Sequence, residues 1–129
     1  MDTGIPNLQL NGELVTIHTP AARKVGQGKF CLENREGASF RATINVAWLE
    51  FGSGRQVLVS DLTVSDRERD LPLNPERFTV EAQASLPFQI DFVEPAYEPG
   101  WGECTAVGLR LEVGGTELEA LSPVEFVRG

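Results

Sequence analysis

The chain has 129 residues and a mass of 14.1 kDa, enough for one domain around one core. Hydrophobic residues make up 41% and charged residues 23%, so a core can form and disorder is not expected. The formal charge is −8, which argues against counterion-displacing contact with nucleic acid and against docking on anionic lipid. One His and two Cys are too few for a zinc finger or an iron–sulfur cluster.

The first residues, Met1-Asp2-Thr3-Gly4-Ile5-Pro6-Asn7, carry neither a basic stretch nor an apolar one, so no secretory signal is read there. No apolar run approaches the roughly 20 residues of a membrane helix. The expectation is a soluble, cytoplasmic single domain over 1–129, with 1–12 as a loosely ordered arm.

In chain order, residues 13–18 predict a first strand with Val15 and Ile17 on one face. A second strand over 29–33 follows the Gly26-Gln27-Gly28 turn. Over 40–48, Phe40, Ala42, Ile44, Val46 and Trp48 alternate with Arg41, Thr43, Asn45 and Ala47. That period of two predicts a half-buried strand with Trp48 in the core. Residues 56–62 predict one strand, apolar on both faces at its start. Residues 66–70 suit a single turn. Residues 77–84 put Phe78, Val80, Ala82 and Ala84 on one face, and 86–92 do the same with Leu86, Phe88, Ile90 and Phe92. Over 107–113 the inner set is Val107, Leu109, Leu111 and Val113. Gly114-Gly115 suits a two-residue hairpin into 116–121, and 124–127 predicts a last strand entered through Ser122-Pro123. The 20–24 segment is a helical turn at most.

Short, one-sided strands separated by turns predict an all-β fold, an antiparallel two-sheet immunoglobulin-like β-sandwich of about seven to nine strands. Cys31 lies opposite Phe30 and Leu32, and Cys104 opposite Val107 and Leu109, if neither strand is bulged. Both thiols then point away from the core, which argues against an inter-sheet disulfide and suits a reducing compartment.

Gly28-Lys29-Phe30-Cys31-Leu32-Glu33-Asn34-Arg35-Glu36-Gly37 resembles the second strand and turn of immunoglobulin-like modules, an apolar strand ending at Asn before a short turn. Leu71-Pro72-Leu73-Asn74-Pro75-Glu76-Arg77-Phe78-Thr79-Val80 resembles a Pro-containing lead into a later strand. The chain is thus similar in rhythm to major-sperm-protein-like and related cytoplasmic domains. The resemblance implies binding or assembly rather than catalysis, and it carries over no functional residue. Gly102 stands where antibody-type domains keep a corner Tyr.

Catalytic chemistry has little to build on. His18, the single His, alternates out of phase with Val15 and Ile17 and points to solvent, so no Ser/Cys–His pair is expected. No cofactor or resident metal is expected either. Calcium has two acidic loops to draw on, Asp61, Asp66, Glu68 and Asp70 in one and Asp91, Glu94, Glu98 and Glu103 in the other, but Arg67 and Arg69 interleave in the first and neither has the spacing of a calcium loop.

The segment Glu94-Pro95-Ala96-Tyr97-Glu98-Pro99-Gly100-Trp101-Gly102 carries the single Tyr and one of the two Trp. Rigid aromatics between Pro and Gly suit a binding loop. They equally suit a plug folded over the open end of a sandwich. Tyr97, Glu98 and Trp101 are the candidate interaction residues. The expected function is a non-enzymatic protein-interaction or assembly module, binding another protein or a second copy. Contact would run through the 94–102 loop or an edge strand such as 116–121. The alternative is a small-ligand binder for carbohydrate or calcium.

Overall fold

The computed structural model describes residues 7–18, 25–93 and 98–127. Two β-sheets face each other. One carries β1 (Leu8–Glu13), β3 (Gln27–Asn34), β9 (Ala84–Phe92), β6 (Leu62–Asp66) and β7 (Leu71–Leu73), in the order β1-β3-β9-β6-β7. The other has the order β2-β11-β10-β4-β5, from β2 (Val15–His18), β11 (Thr116–Val127), β10 (Cys104–Val113), β4 (Phe40–Phe51) and β5 (Gln56–Val59). β8 (Phe78–Val80) also pairs with β4. Every pairing is antiparallel except the parallel β2–β11 pair. The all-β two-sheet sandwich is the predicted class.

Eleven strands occur among the described residues, more than the seven to nine expected, because the chain changes sheets where a single strand was read. β1 belongs to the first sheet and β2 to the second, with Leu14 between them. Residues 8–12, read as part of an arm, pair with β3 instead. Residues 56–62 likewise divide between β5 and β6 on opposite sheets. Asp61 takes a positive φ of 53° at that crossing. The 77–84 strand stops at Val80 and turns through Gln83, also at φ 53°. Conversely, 116–121 and 124–127 join as the single strand β11. The 20–24 turn and Tyr97 lie outside the described residues.

The core fills the space between the sheets. Phe30, Leu32, Phe88 and Ile90 enter from one side, Leu109, Leu111, Val107 and Val113 from the other, all fully buried. Phe30 stacks on Phe88 at 5.8 Å, and Phe78 meets Phe88 at 5.6 Å in a tilted arrangement, the offset geometries that aromatic quadrupoles favour. Buried Asn34 closes β3: its side-chain amide donates to the Ala38 and Glu81 carbonyls, and its oxygen accepts from the Glu36 N–H. No donor of that buried side chain goes unpaired, as burial demands. Gly114 and Gly115 turn β10 into β11 at φ 54° and 85°, the hairpin their sequence predicts.

The two sheets are tied at one seam. Buried Ser122 of β11 donates its hydroxyl to the Glu13 carbonyl at 2.6 Å and accepts the Lys29 N–H at 3.1 Å. One side chain thus joins β11 to β1 and β3.

Two β-bulges decide which residues face outward. In the β4–β10 ladder, Ile44 pairs with Leu111 and Val46 with Arg110, so Asn45 is the extra residue. A single inserted residue moves every later side chain to the other face. Phe40, Ala42 and Ile44 pack on the core as predicted, but beyond Asn45 the inward set becomes Ala47, Leu49 and Phe51. Trp48 is therefore on the outer face, which corrects its placement in the core. The second bulge has Thr105 as its extra residue, between Cys104↔Phe51 and Ala106↔Glu50. It turns Cys104 into the core, correcting its predicted outward direction.

Cys31 keeps the predicted outward phase, and both thiols are free. Burial pushes the Cys104 thiol up to about 11, and burial followed by Glu33 raises Cys31. The folded state thus holds the Cys104 proton more tightly than the unfolded chain does. Its contribution to stability is intact below about pH 8.5 and is lost as pH rises through the folded value of about 11. A thiol-reactive chromogenic disulfide near neutral pH is expected to modify Cys31 in the native protein, and Cys104 only after denaturant is added. Equal native rates for both would contradict this placement.

Candidate functional site

The outer face of the six-stranded sheet holds a groove of about 350 Å3, lined by Val46, Trp48, Glu50, Gln56, Leu58, Arg110, Glu119 and Leu121. Register explains the set. Leu58 pairs with Trp48, Trp48 with Gly108 and Gly108 with Leu121, forming one rung across β5, β4, β10 and β11. A neighbouring rung runs Val46, Arg110, Glu119, and another runs Gln56, Glu50.

Trp48 forms the floor. A β-carbon on Gly108 would lie 2.0 Å from Trp48 Cε2, so the indole rests directly on the Gly108 backbone. Glycine inside a strand is the usual mark of such a close approach. The indole N–H donates to Glu50 Oε2 at 2.9 Å, and Gln56 Nε2 donates to the same oxygen at 3.3 Å. The Arg110 guanidinium carbon sits 5.9 Å from the Trp48 ring centroid. Arg110 also donates to Glu119 at 2.8 and 3.1 Å and lies 3.6 Å from Glu117. The hydrogen bond to Glu119, then its charge, raises the Arg110 pKa and keeps the guanidinium cationic.

Two leucines stand open beside the polar lining of Glu50, Gln56, Arg110 and Glu119. Trp48 is only 8% exposed, whereas Leu58 is 71% exposed and Leu121 44%. The outer face of the other sheet contrasts with this. It presents Gln9 bonded to Asn11 and Gln89 bonded to Asp91, with Glu13 paired to Arg67. The leucines thus stand on the face built around a locked aromatic.

The residues singled out from the sequence are elsewhere. Trp101 ends a 3-10 turn, Pro99–Trp101, and is half-buried. Its ring lies 5.3 Å from Phe51, and the Arg55 guanidinium stands 4.7 Å over it. Its carbonyl accepts the Ser53 N–H, and the Glu103 carbonyl accepts the Gly52 N–H, so this end of the loop is laced to the β4–β5 hairpin. Glu98 is exposed, and its carbonyl accepts the Trp101 N–H. His18 is exposed at the end of β2. Among the described residues, no group of three or more His, Cys, Asp and Glu side chains is placed to hold a metal ion. In the first of the acidic loops weighed for calcium, buried Asp66 accepts the Glu68 and Arg69 N–H groups.

Sequence reasoning missed the groove because strict alternation carried Trp48 inward. The signals were present as four consecutive apolar residues, Val46-Ala47-Trp48-Leu49, after Asn45, and a glycine in the middle of β10.

No protein-family model matches the chain. No curated protein matches it in sequence. Among solved structures it is similar to the ASH/PapD-like domain of human CEP192 (PapD-like domain 7), at 10% identity and a TM-score of 0.45, covering 99% of this chain and 92% of that one. It is also similar to a family 123 glycoside hydrolase from Clostridium perfringens, at 12% identity and a TM-score of 0.39, covering 87% of this chain but 22% of that one. Both are likenesses in chain path, and no functional residue is carried over from either. No helix among the described residues is long and apolar enough to cross a membrane.

Proposed function

We propose that the chain is a non-enzymatic protein-interaction module that binds through the outer face of its six-stranded sheet. One observation carries this reading: Leu58 and Leu121 stand exposed on either side of a tryptophan held rigid by Gly108, Glu50 and Arg110. Grouped apolar side chains with a polar rim mark interaction surfaces on soluble domains. Glu50, Arg110 and Glu119 are engaged with neighbouring side chains, which suits a scaffold for contact better than acid–base chemistry. Sugar stacking needs an open aromatic face, whereas Trp48 is nearly buried and Arg55 covers Trp101. Trp101 would anchor residues 98–102, leaving exposed Glu98 to a partner as a secondary contact. Two free thiols favour action in a reducing compartment such as the cytoplasm.

The test is selection from a random-peptide display library, with a Leu58→Glu/Leu121→Glu variant of unchanged circular dichroism and Tm as counter-target. Selected peptides are expected to bind this variant at least about tenfold more weakly, since desolvated apolar contacts dominate such surfaces. Peptides that bind both proteins equally, or a selection that yields none, would contradict the reading.

A further inference from the structure

We infer that the occupant of this surface is an extended segment of another protein, alternating basic and apolar residues, that adds as a strand to the free edge of β5. The inference rests on the outer-face reading above and names its partner.

The β5 edge is open. β5 pairs with β4 on one side, and among the described residues no strand pairs with the other. Phe51 N–H donates to the Arg55 carbonyl, so 51 and 55 form a hydrogen-bonded pair. Antiparallel pairs alternate between bonded and non-bonded. Glu50/Gln56 and Trp48/Leu58 are then non-bonded pairs, and Gln56 and Leu58 turn their N–H and C=O groups to the free edge. These same two residues send their side chains to the groove.

The edge is also unprotected. Native edges are blunted by proline, charge or cover. β7 has Pro72 at its centre. β11 carries Glu117 and Glu119 along 116–121, and Gly12 of β1 presses against it at Leu121. β5 reads Gln-Val-Leu-Val, with neither proline nor charge; β2, at the sheet's other edge, also lacks both, but β5 is the edge whose Gln56 and Leu58 line the groove. Its inner residues Val57 and Val59 are only partly buried at the rim of the core.

Charge selects the incoming strand. Outward positions on this face hold Glu50, Glu112, Glu117 and Glu119 against Arg41 and Arg110, and Arg110 is already held by Glu119 and Glu117. A second copy of a chain with net charge −8 would bring further negative charge to an acidic face. A partner strand with Lys or Arg on its outer side lays the alkyl stems over Leu58 and directs the cationic heads toward Glu50. Its alternate apolar residues cover Val57 and Val59. The backbone ladder supplies affinity and the alternation supplies register.

The experiment uses an acetylated and amidated peptide of alternating lysine and valine, with its glutamate–valine counterpart as control. Amide hydrogen exchange is read by NMR on the whole chain. Binding is expected, with exchange at the Gln56 and Leu58 N–H groups slowed at least about tenfold, and with the glutamate peptide at least about tenfold weaker at low salt. Gln56→Pro removes one edge donor together with the side-chain bond to Glu50, so it is compared with Gln56→Ala, which loses the side chain alone, and it is expected to weaken binding by a similar factor relative to that control. Binding without protection at Gln56 and Leu58, or indifference to Gln56→Pro relative to Gln56→Ala, overturns strand addition. Failure of the lysine peptide while display-selected peptides remain sensitive to Leu58→Glu/Leu121→Glu overturns this inference and leaves the outer-face reading standing. A homodimer in sedimentation that protects the same two amides also overturns it.

Discussion

Gly12→Ala is expected to destabilise the domain by about 3 kcal/mol, at the upper end of overpacking costs, and to lower Tm by roughly 10 °C. A β-carbon at this position would lie 1.7 Å from the Leu121 carbonyl oxygen and 2.3 Å from its carbon. Both obstacles are backbone, so no rotamer change relieves them. β1 cannot retreat without disturbing its pairing with β3, where Gly12 sits opposite Phe30. Retreat also pulls the Glu13 carbonyl away from Ser122 Oγ. Nothing about Gly12 requires a positive φ, so the penalty comes from contact alone. Gly37→Ala is the matched control, since a β-carbon there meets nothing within 4 Å. That change is expected to be neutral or slightly stabilising, through reduced entropy of the unfolded chain. Similar denaturation midpoints for the two variants would refute the close approach of β1 to β11.

A double-mutant cycle on Trp48 and Gly108 is expected to show a coupling of about 2 kcal/mol. Trp48→Ala alone should cost about 3 kcal/mol, the low end for removing a buried aromatic, because the ring lies on the outer face and outside the inter-sheet core. Gly108→Ala alone should cost about 2 kcal/mol, because its methyl group must lift the indole off the strand. In the Trp48→Ala background the same methyl group enters vacated space, and its cost should fall to within about 0.5 kcal/mol of zero. Additive costs would mean that the indole does not rest on Gly108. Urea denaturation of the four proteins, with constant m values, decides the matter.

That cycle probes what plain alternation hides. Where no residue is inserted, the period of two reads true: Leu86, Phe88, Ile90 and Phe92 face one way along β9, and Val107, Leu109, Leu111 and Val113 along β10. The Gly114-Gly115 hairpin and the closing role of Asn34 are likewise legible from residue type. Alternation carries no information across a bulge. Asn45 and Thr105 each shift the phase, and the first of them creates the groove. Nor does a local pattern reveal a change of sheet, which depends on distant partners. That is why β5 and β6 looked like one strand, and why the exposed edge of β5 went unseen beside a loop whose aromatic content drew attention. Of that loop's candidates, Trp101 is spent on Phe51 and Arg55, Glu98 remains at the surface, and Tyr97 is outside the described residues.

The most direct measurement is the response of the two tryptophan indole N–H resonances to a display-selected peptide in nitrogen-15 NMR. Trp48 donates its indole N–H to Glu50 at the groove floor, whereas Trp101 is packed between Phe51 and Arg55 at the loop. Binding on the outer face should shift the Trp48 resonance together with the Leu58 and Leu121 amides and leave Trp101 in place. A shift confined to Trp101 and its neighbours would contradict the account and return the recognition surface to the 94–102 loop.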